Sequence, residues 1–386
     1  MNYVYLDHAA TTATRPEVRE AMAPFLGERF GNPSSTHRYG RQARNALEQA
    51  RERVAAALGA KRREIIFTGG GTEADNIAVL GSWRAHCQSA GAHGAVVCSA
   101  IEHKAVLAAA RQAGEEGAEL ILLGVDEHGR VDVGAAEEAL RAQPCIVSVM
   151  WGNNEVGSVQ PIPEIVERCR SAGAVCHSDA VQAFGKVRVR LDEVPLDLLS
   201  VSAHKIGGPK GIGALYVREG VPVLALTHGG GQERDLRPGT ENVASAVGFA
   251  TAAELVAAEQ ETEAARLETL RERLEAGLRS RVTDLIVNGA SRGWRLPHVL
   301  NVSVPGADQE ALLIGLDLDG VAASGGSACQ SGTVSASHVL AAMGRVRAGE
   351  ASVRLSLGHE TSEAEIDFAI DVFAEVVARI RAEAVL

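Results

Sequence analysis

The sequence predicts an α/β protein: a parallel sheet covered by helices on both faces, followed by a smaller α+β domain. Three observations carry this. Between about residues 40 and 240, short runs apolar on both faces alternate with stretches of helical spacing. A proline-free stretch over 244–281 is too long for an ordinary crossover helix, and beyond it the pattern changes. The first helix is expected over 41–58, where Ala43, Ala46, Leu47, Ala50, Val54 and Ala57 recur at helical spacing and Gly59 ends the pattern. A strand at 64–67, a glycine cluster and a helix over 72–90 follow. Further strands are expected at 95–98, 120–123, 146–150, 174–177, 198–202 and 213–217, with helices such as 162–172 between them. After the long helix come a strand (299–304), a helix (309–316), a cysteine-bearing loop, a strand (352–357) and a terminal helix (363–382).

The 386 residues leave room for two or three domains of about 150 residues each. With 38 basic and 49 acidic residues the formal charge is −11, which argues against direct binding of nucleic acid or a membrane surface. No apolar run reaches the roughly 18 residues of a membrane span, and the start, Met1-Asn-Tyr-Val-Tyr-Leu-Asp7, has no leader pattern, so a cytoplasmic protein is expected. Six cysteines are too sparse for a disulfide framework, and none forms a Cys-x-x-Cys pair. Cys87, Cys98, Cys145, Cys169 and Cys176 lie in apolar or helical surroundings and read as packing. Cys329 differs: its segment, Ala323-Ser-Gly-Gly-Ser-Ala-Cys-Gln-Ser-Gly-Thr333, is built from small and polar residues that pack poorly and move easily.

Thr68-Gly-Gly-Gly-Thr72 between a strand and a helix is a phosphate-binding arrangement, because glycines let the backbone approach an anion and the helix offers unpaired N–H groups. A dinucleotide would also need an acidic residue about 20 positions on. Trp83 to Ala100 contains none, and the Walker lysine is missing too. A plain structural turn stays open. Three more clusters follow strands: Trp151-Gly-Asn-Asn154, His177-Ser-Asp179-Ala-Val-Gln182 and Ser202-Ala-His204-Lys205. In an open α/β sheet such strand ends meet one ligand. An acid, a lysine, an amide, a hydroxyl and a phosphate cup together match pyridoxal 5′-phosphate: the lysine for its aldehyde, the acid for its pyridine nitrogen. Lys205, directly after a strand, is the better lysine, and Lys210 is the runner-up. Taken singly, Asp179 as a helix cap and Lys205 as a surface lysine would be the ordinary readings.

The chain closely resembles the cysteine desulfurases, fold type I pyridoxal-phosphate enzymes of the class V aminotransferase superfamily. The resemblance runs over essentially the whole chain. It rests on Tyr5-Leu-Asp-His-Ala-Ala-Thr-Thr12, Gly31-Asn-Pro-Ser-Ser-Thr-His37, Thr72-Glu-Ala-Asp-Asn76, Glu102-His103, Asn153-Asn-Glu-Val-Gly157, His177-Ser-Asp-Ala-Val-Gln182, Ser202-Ala-His-Lys205, Arg237-Pro-Gly-Thr240 and Ser327-Ala-Cys329. It implies a mostly parallel seven-stranded sheet in a large domain over 15–258. The small domain would take 1–14 and 259–386 and carry the cysteine loop at about 323–337.

The resemblance also implies roles. Lys205 would bond the cofactor, His103 stack on its ring and shuttle protons, Asp179 pair with the ring nitrogen and Gln182 meet the phenolic oxygen. Gly71, Thr72, Ser202 and His204 would hold the phosphate, helped by Thr240 from the second subunit of a homodimer. Asn154 and Arg354 would bind the carboxylate of L-cysteine; a strand arginine paired with a surface acid is the plain alternative for Arg354. Cys329 would take the sulfur as a persulfide, releasing L-alanine, and pass it to an acceptor such as an iron–sulfur scaffold. No resident metal is expected, Cys329 being the residue that would hold an iron–sulfur cluster in passing. Relatives usually read Ser-Ser-Gly-Ser where this chain has Ser324-Gly-Gly-Ser327, and an acid–Pro–Ser turn where it has Val334-Ser-Ala-Ser337. These departures bear on the loop and its acceptor. A selenocysteine lyase, another lyase or aminotransferase of the same fold, and a non-catalytic assembly subunit are the rivals. The last predicts erosion at Lys205, Asp179 or Cys329, and all three are present.

Overall fold

The computed structural model describes residues 3–91, 93–325, 337–347 and 349–383. In chain order the first elements are β1 (Val4–Tyr5), α1 (Pro16–Leu26), α2 (Arg38–Leu58), β2 (Ile65–Thr68), α3 (Gly71–Asn76) and α4 (Ser82–Ala90). Next come β3 (Val96–Ser99), α5 (Lys104–Glu115), β4 (Leu120–Leu123), α6 (Val133–Ala139), β5 (Ile146–Ser148), α7 (Ile162–Ala172), β6 (Val175–Asp179), β7 (Leu198–Ser202) and β8 (Gly213–Val217). The remainder is α8 (Val243–Arg281), β9 (Ile286–Asn288), β10 (Val299–Pro305), α9 (Gln309–Leu318), β11 (Val321–Ala322), α10 (His338–Ala342), β12 (Glu350–Ser356) and α11 (Glu363–Glu383).

Seven strands form one sheet in the order β2-β8-β7-β6-β5-β3-β4. Their residues are buried on both faces in β2, β3, β5 and β7, as expected of strands sandwiched between helix layers. One strand departs from the parallel expectation: β8 runs antiparallel to both β7 and β2. The connection over 203–212 is too short to carry the crossover helix that a parallel neighbour needs, so the chain turns back instead. One apolar cluster packs α2, α7 and the first half of α8 against the sheet, and another packs α3, α4 and α5 on the opposite face. Between α3 and α4 the helix widens into a π turn at Ile77–Gly81. There the Leu224 backbone N–H donates to the Gly81 carbonyl, and a Cβ on Gly81 would lie 2.6 Å from the Leu224 oxygen.

A separate cluster surrounds β9, β10 and β12, which form an antiparallel three-stranded sheet, together with α9 and α11. Helix α8 spans both cores: Val243 to Val256 are buried in the first, and Leu267 to Leu278 in the second. The N-terminal β1 pairs in parallel with β11. Among the described residues, no helix is long and apolar enough to cross a membrane.

Candidate active site

The segments that follow β2, β3, β5, β6 and β7 converge on a cavity of about 340 Å³. Gly71, Thr72, His103, Asn154, Asp179, Gln182, His204, Lys205 and Arg354 all line it. Lys205 follows β7 in a short 3₁₀ turn, and its Nζ donates to the Ala9 and Ala10 carbonyls, 2.7 Å each. Lys210 is exposed and lines a neighbouring cleft instead, so the two candidate lysines part company here.

One end of the cavity is closed and acidic. Asp75, His103 and Asp179 each bring a ligand atom within 4.8 Å of the others. Burial raises the proton affinity of Asp179, while His103, the Val181 N–H and Lys205 pull it back. Its Oδ1 accepts from Val181 at 2.8 Å, so it also closes the turn after β6. Asp75 is pushed well above the usual carboxylate range by burial and then by the charge of Asp179, and Ser200 opposes the shift. Its Oδ1 lies 3.7 Å from His177 Nε2. That ring is no cation, because burial drives it down to about 3; it is bonded instead to Ser148 Oγ at 2.8 Å and Ser200 Oγ at 3.0 Å. Glu102 is raised to about 8 by burial, against the pull of hydrogen bonds from Ser99 Oγ (2.7 Å) and the Met150 N–H (2.6 Å). His103 caps α5, its Nδ1 accepting from Ala105 at 3.2 Å. Burial lowers its pKa despite Asp179, so the neutral ring carries its proton on Nε2.

The other end is open. Thr72 and His204 border both the cavity and a wider cleft of about 780 Å³, which Ser202, Gly69, Gly70 and Lys210 also line. Ser202 Oγ is buried with no partner among the described residues. His204 Nδ1 lies 3.1 Å from Thr11 Oγ1, and burial followed by Lys205 and Lys210 lowers the ring to about 4. A Cβ on Gly71 would come within 2.8 Å of Val181 Cγ2.

On the remaining wall, Arg354 of β12 is 2% exposed. Its guanidinium donates to the Asn154 carbonyl at 2.9 Å and to Asp7 Oδ1 at 2.6 Å. Its backbone exchanges hydrogen bonds with Ser324, at the threshold of the cysteine segment. Thr240 is exposed and borders neither the cavity nor the cleft. Cys329, with residues 326–336 around it, lies outside the described residues. Of the other cysteines, Cys98, Cys145, Cys169 and Cys176 are buried. Cys87 packs against the core beneath α4 but is only half-buried, with Sγ 3.8 Å from His93 Nδ1, because the end of α4 faces solvent.

The pattern of the family described as Aminotransferase class-V matches residues 4–368. The chain belongs to the class-V aminotransferases. Within that family it is 44% identical over 379 residues to "Cysteine desulfurase IscS" of Dictyoglomus turgidum, covering 98% of this chain and 95% of that one. It is likewise 44% identical to "Cysteine desulfurase 1" of Trichormus variabilis, over 99% and 94% of the two chains. Among solved structures, a "NIFS-LIKE PROTEIN" superposes with a TM-score of 0.90 at 34% identity, covering 98% of this chain and all of the other. "SspA in complex with cysteine" matches at a TM-score of 0.80 and 34% identity, over 92% and 98% of the chains. The chain is therefore a member of the cysteine desulfurase group of class-V aminotransferases.

In this class-V site, several groups escape sequence reasoning. Asp75 and Glu102 stand inside motifs that carry the resemblance, yet nothing in a single sequence marks them as buried acids. The Ala9 and Ala10 carbonyls that hold Lys205 have no residue-type signal at all. His298, behind Gln182, was a lone histidine in an apolar run, and that polar interruption was its only cue.

Proposed function

We propose that this protein is a cysteine desulfurase that uses pyridoxal 5′-phosphate, takes sulfur from L-cysteine as a persulfide on Cys329 and releases L-alanine. The observation that carries the reading is Lys205 Nζ entering, from a strand end, the same cavity as Asp179 and His103. The residues present fit the cofactor. Ser202 Oγ is a buried hydroxyl without a partner beside a helix start, which suits a phosphate, and the floor at Gly71 has no room for a side chain. A buried acid at the other end suits a pyridine nitrogen. Lys205, Asp179, His103 and Gln182 would hold the ring end, and Gly71, Thr72, Ser202 and His204 the phosphate. When bound, the cofactor supplies an aldehyde that captures an amine and a ring that accepts electrons.

The chain's own groups do the rest. Arg354, aimed by Asp7 and the Asn154 carbonyl, offers a planar fork to the substrate carboxylate. Lys205 Nζ takes the substrate Cα proton and returns it, and Asp179, whose burial is offset by His103 and Lys205, would hold a proton at the ring nitrogen. His103 Nε2 holds the proton that its neutral ring can lend. The Cys329 thiolate attacks the substrate sulfur. The carbon–sulfur bond breaks, a sulfur–sulfur bond forms, and alanine leaves once its carbon is reprotonated. Thr240, exposed and outside its own chain's cavity, suits a homodimer in which it serves the second copy's phosphate. The persulfide would pass to an acceptor protein such as an iron–sulfur scaffold in the cytoplasm.

The test is to add L-cysteine to purified, cofactor-loaded protein, measure alanine and map the persulfide by mass spectrometry. Equimolar alanine and persulfide on Cys329 are expected. Persulfide on another cysteine, or wild-type alanine release from Cys329→Ala, overturns the reading.

A further inference from the structure

Behind the cavity wall, just before β10, lies a histidine that the reaction above does not use. His298 is 2% exposed, and its backbone is pinned by the Leu357 N–H at 2.9 Å from its carbonyl. Its Nε2 lies 3.2 Å from Gln182 Oε1. The same glutamine donates from Nε2 to the Ala9 carbonyl at 2.8 Å. That carbonyl also accepts from Lys205 Nζ, at 2.7 Å. A chain of contacts thus runs from His298 through Gln182 and Ala9 to the cavity lysine.

The tautomer follows from the surroundings. His298 Nδ1 is buried with no partner among the described residues. Burial, then the neighbouring positive charges of Lys186, Arg354 and Lys205, keep the ring neutral, and His8 adds to them only at low pH, where it is itself protonated. A neutral imidazole carries one N–H. Placed on Nε2, it donates to Gln182 Oε1 and leaves a bare lone pair at Nδ1. Placed on Nδ1, it would bury an unsatisfied donor and set two lone pairs against each other. The Ala9 carbonyl excludes the flipped amide for the same reason, since Oε1 would then face another oxygen. The amide of Gln182 is held at both ends.

We propose that His298 is a positioning residue: its Nε2–H locks the Gln182 amide so that the NH₂ group faces the Ala9 carbonyl and the cavity. This rests on the reading that Gln182 meets the phenolic oxygen of the cofactor. His298 touches neither cofactor nor substrate and acts through Gln182. It also ties the strand region that begins at Val299 to the wall that holds Lys205.

The test compares wild type, His298→Leu and His298→Gln in the cofactor-loaded protein. Leu keeps the bulk and removes the donor; Gln places an amide N–H where Nε2 was. The readouts are the pH titration of the bound cofactor's absorbance and the cofactor dissociation constant. For His298→Leu the titration midpoint is expected to rise by about one unit, because the phenolic oxygen loses a donor, with cofactor affinity down about tenfold. His298→Gln is expected to lie within about a third of that shift from wild type. A Leu variant that titrates and binds like wild type overturns the proposal, as does a Gln variant as shifted as Leu, which would make the effect one of packing. A histidine ¹⁵N spectrum of the wild-type holoenzyme, with His298 assigned by its loss in the Gln variant, needs no folded Leu variant. It should show the neutral Nε2–H form from about pH 5 to about pH 9, and the Nδ1–H form or a titration in that range overturns the proposal. Failure of the wild type to take up pyridoxal phosphate is a separate result that strikes the cofactor reading first.

Discussion

The two ends of the cavity are built on opposite principles. At the closed end, Asp75, Glu102 and Asp179 are at most 5% exposed, and each is raised in proton affinity by burial. At the open end, Thr72, Ser202 and His204 face a cleft of about 780 Å³ and present hydroxyls, an imidazole and helix N–H groups. The acid on that cleft, Glu73, is only half-buried and tied to Arg237 and the Gly69 N–H. The closed end fixes protonation states, because water cannot compete with the arrangement of charges there. The open end fixes only where an anion sits. Changes at the first should alter chemistry, and changes at the second should alter affinity.

Asp179→Asn is the sharpest way to break this contrast. The amide keeps a carbonyl for the Val181 N–H but cannot hold a proton on the ring nitrogen. Alanine formation should fall by about 10³-fold, while the protein still takes up cofactor from its intact open end. Turnover within about tenfold of wild type would mean that the closed end does not govern the chemistry. With the negative charge gone, His103 should also become harder to protonate, since Asp179 is the group that raises it.

Glu102→Gln isolates the closed end's proton. The carboxyl titrates near 8 in the folded protein against 4.5 as its ordinary value, so the native state holds a proton that the unfolded chain has released. A raised acid stabilises fully below its unfolded value and loses that contribution as pH rises through the folded one. Wild type should therefore lose about 1.4 kcal/mol per pH unit from this group between roughly pH 5 and pH 8. His8, lowered to about 4, and His177, lowered to about 3, slope the other way below their ordinary value of 6.5. Above 6.5 those histidines no longer contribute, and the buried Asp75, raised in the same direction, is common to both proteins, so the difference between variant and wild type isolates Glu102. Gln mimics the protonated form, and its Oε1 can still accept from Ser99 and Met150. Denaturant titrations should find the variant already the more stable near pH 6, with the gap widening by about 1.4 kcal/mol per pH unit up to about pH 8 and level by pH 9. Parallel curves across that range would show that Glu102 carries no such proton.

Much of the architecture was legible because sandwiched strands leave an unmistakable mark: β2, β3, β5 and β7 are apolar enough on both faces to stand out singly. The direction of β8 was not legible, since it is set by the length of the connection at 203–212 and not by the strand's own residues. The two- and three-residue strands β1, β9 and β11 are too short to show a period. Helix α1 carries Val18, Ala21, Met22 and Phe25 at helical spacing against the first core, so its apolar face is legible, although the helices expected from the sequence begin only at 41. In the site, Lys205, Asp179 and His103 could be singled out because their chemistry is typed by the residue and their place by a preceding strand. Asp75 and His298 become visible only when the fold carries them behind Asp179 and Gln182.

Ser202→Ala carries the smallest effect and the most telling sign. Its hydroxyl is buried and has no partner among the described residues, so without a phosphate it is a polar group withdrawn from water at a cost. Removing it should leave the cofactor-free protein as stable as wild type or slightly more so. With cofactor present the sign reverses, because a hydrogen bond to a charged oxygen is lost. Affinity should fall about tenfold, while the turnover of the saturated enzyme stays within about twofold. Thermal melts with and without pyridoxal phosphate read both halves on one sample. A variant less stable than wild type even without cofactor would mean that Ser202 serves the strand end itself. The open end would then be part of the scaffold, as the closed end is, and the contrast between the two would lose its basis.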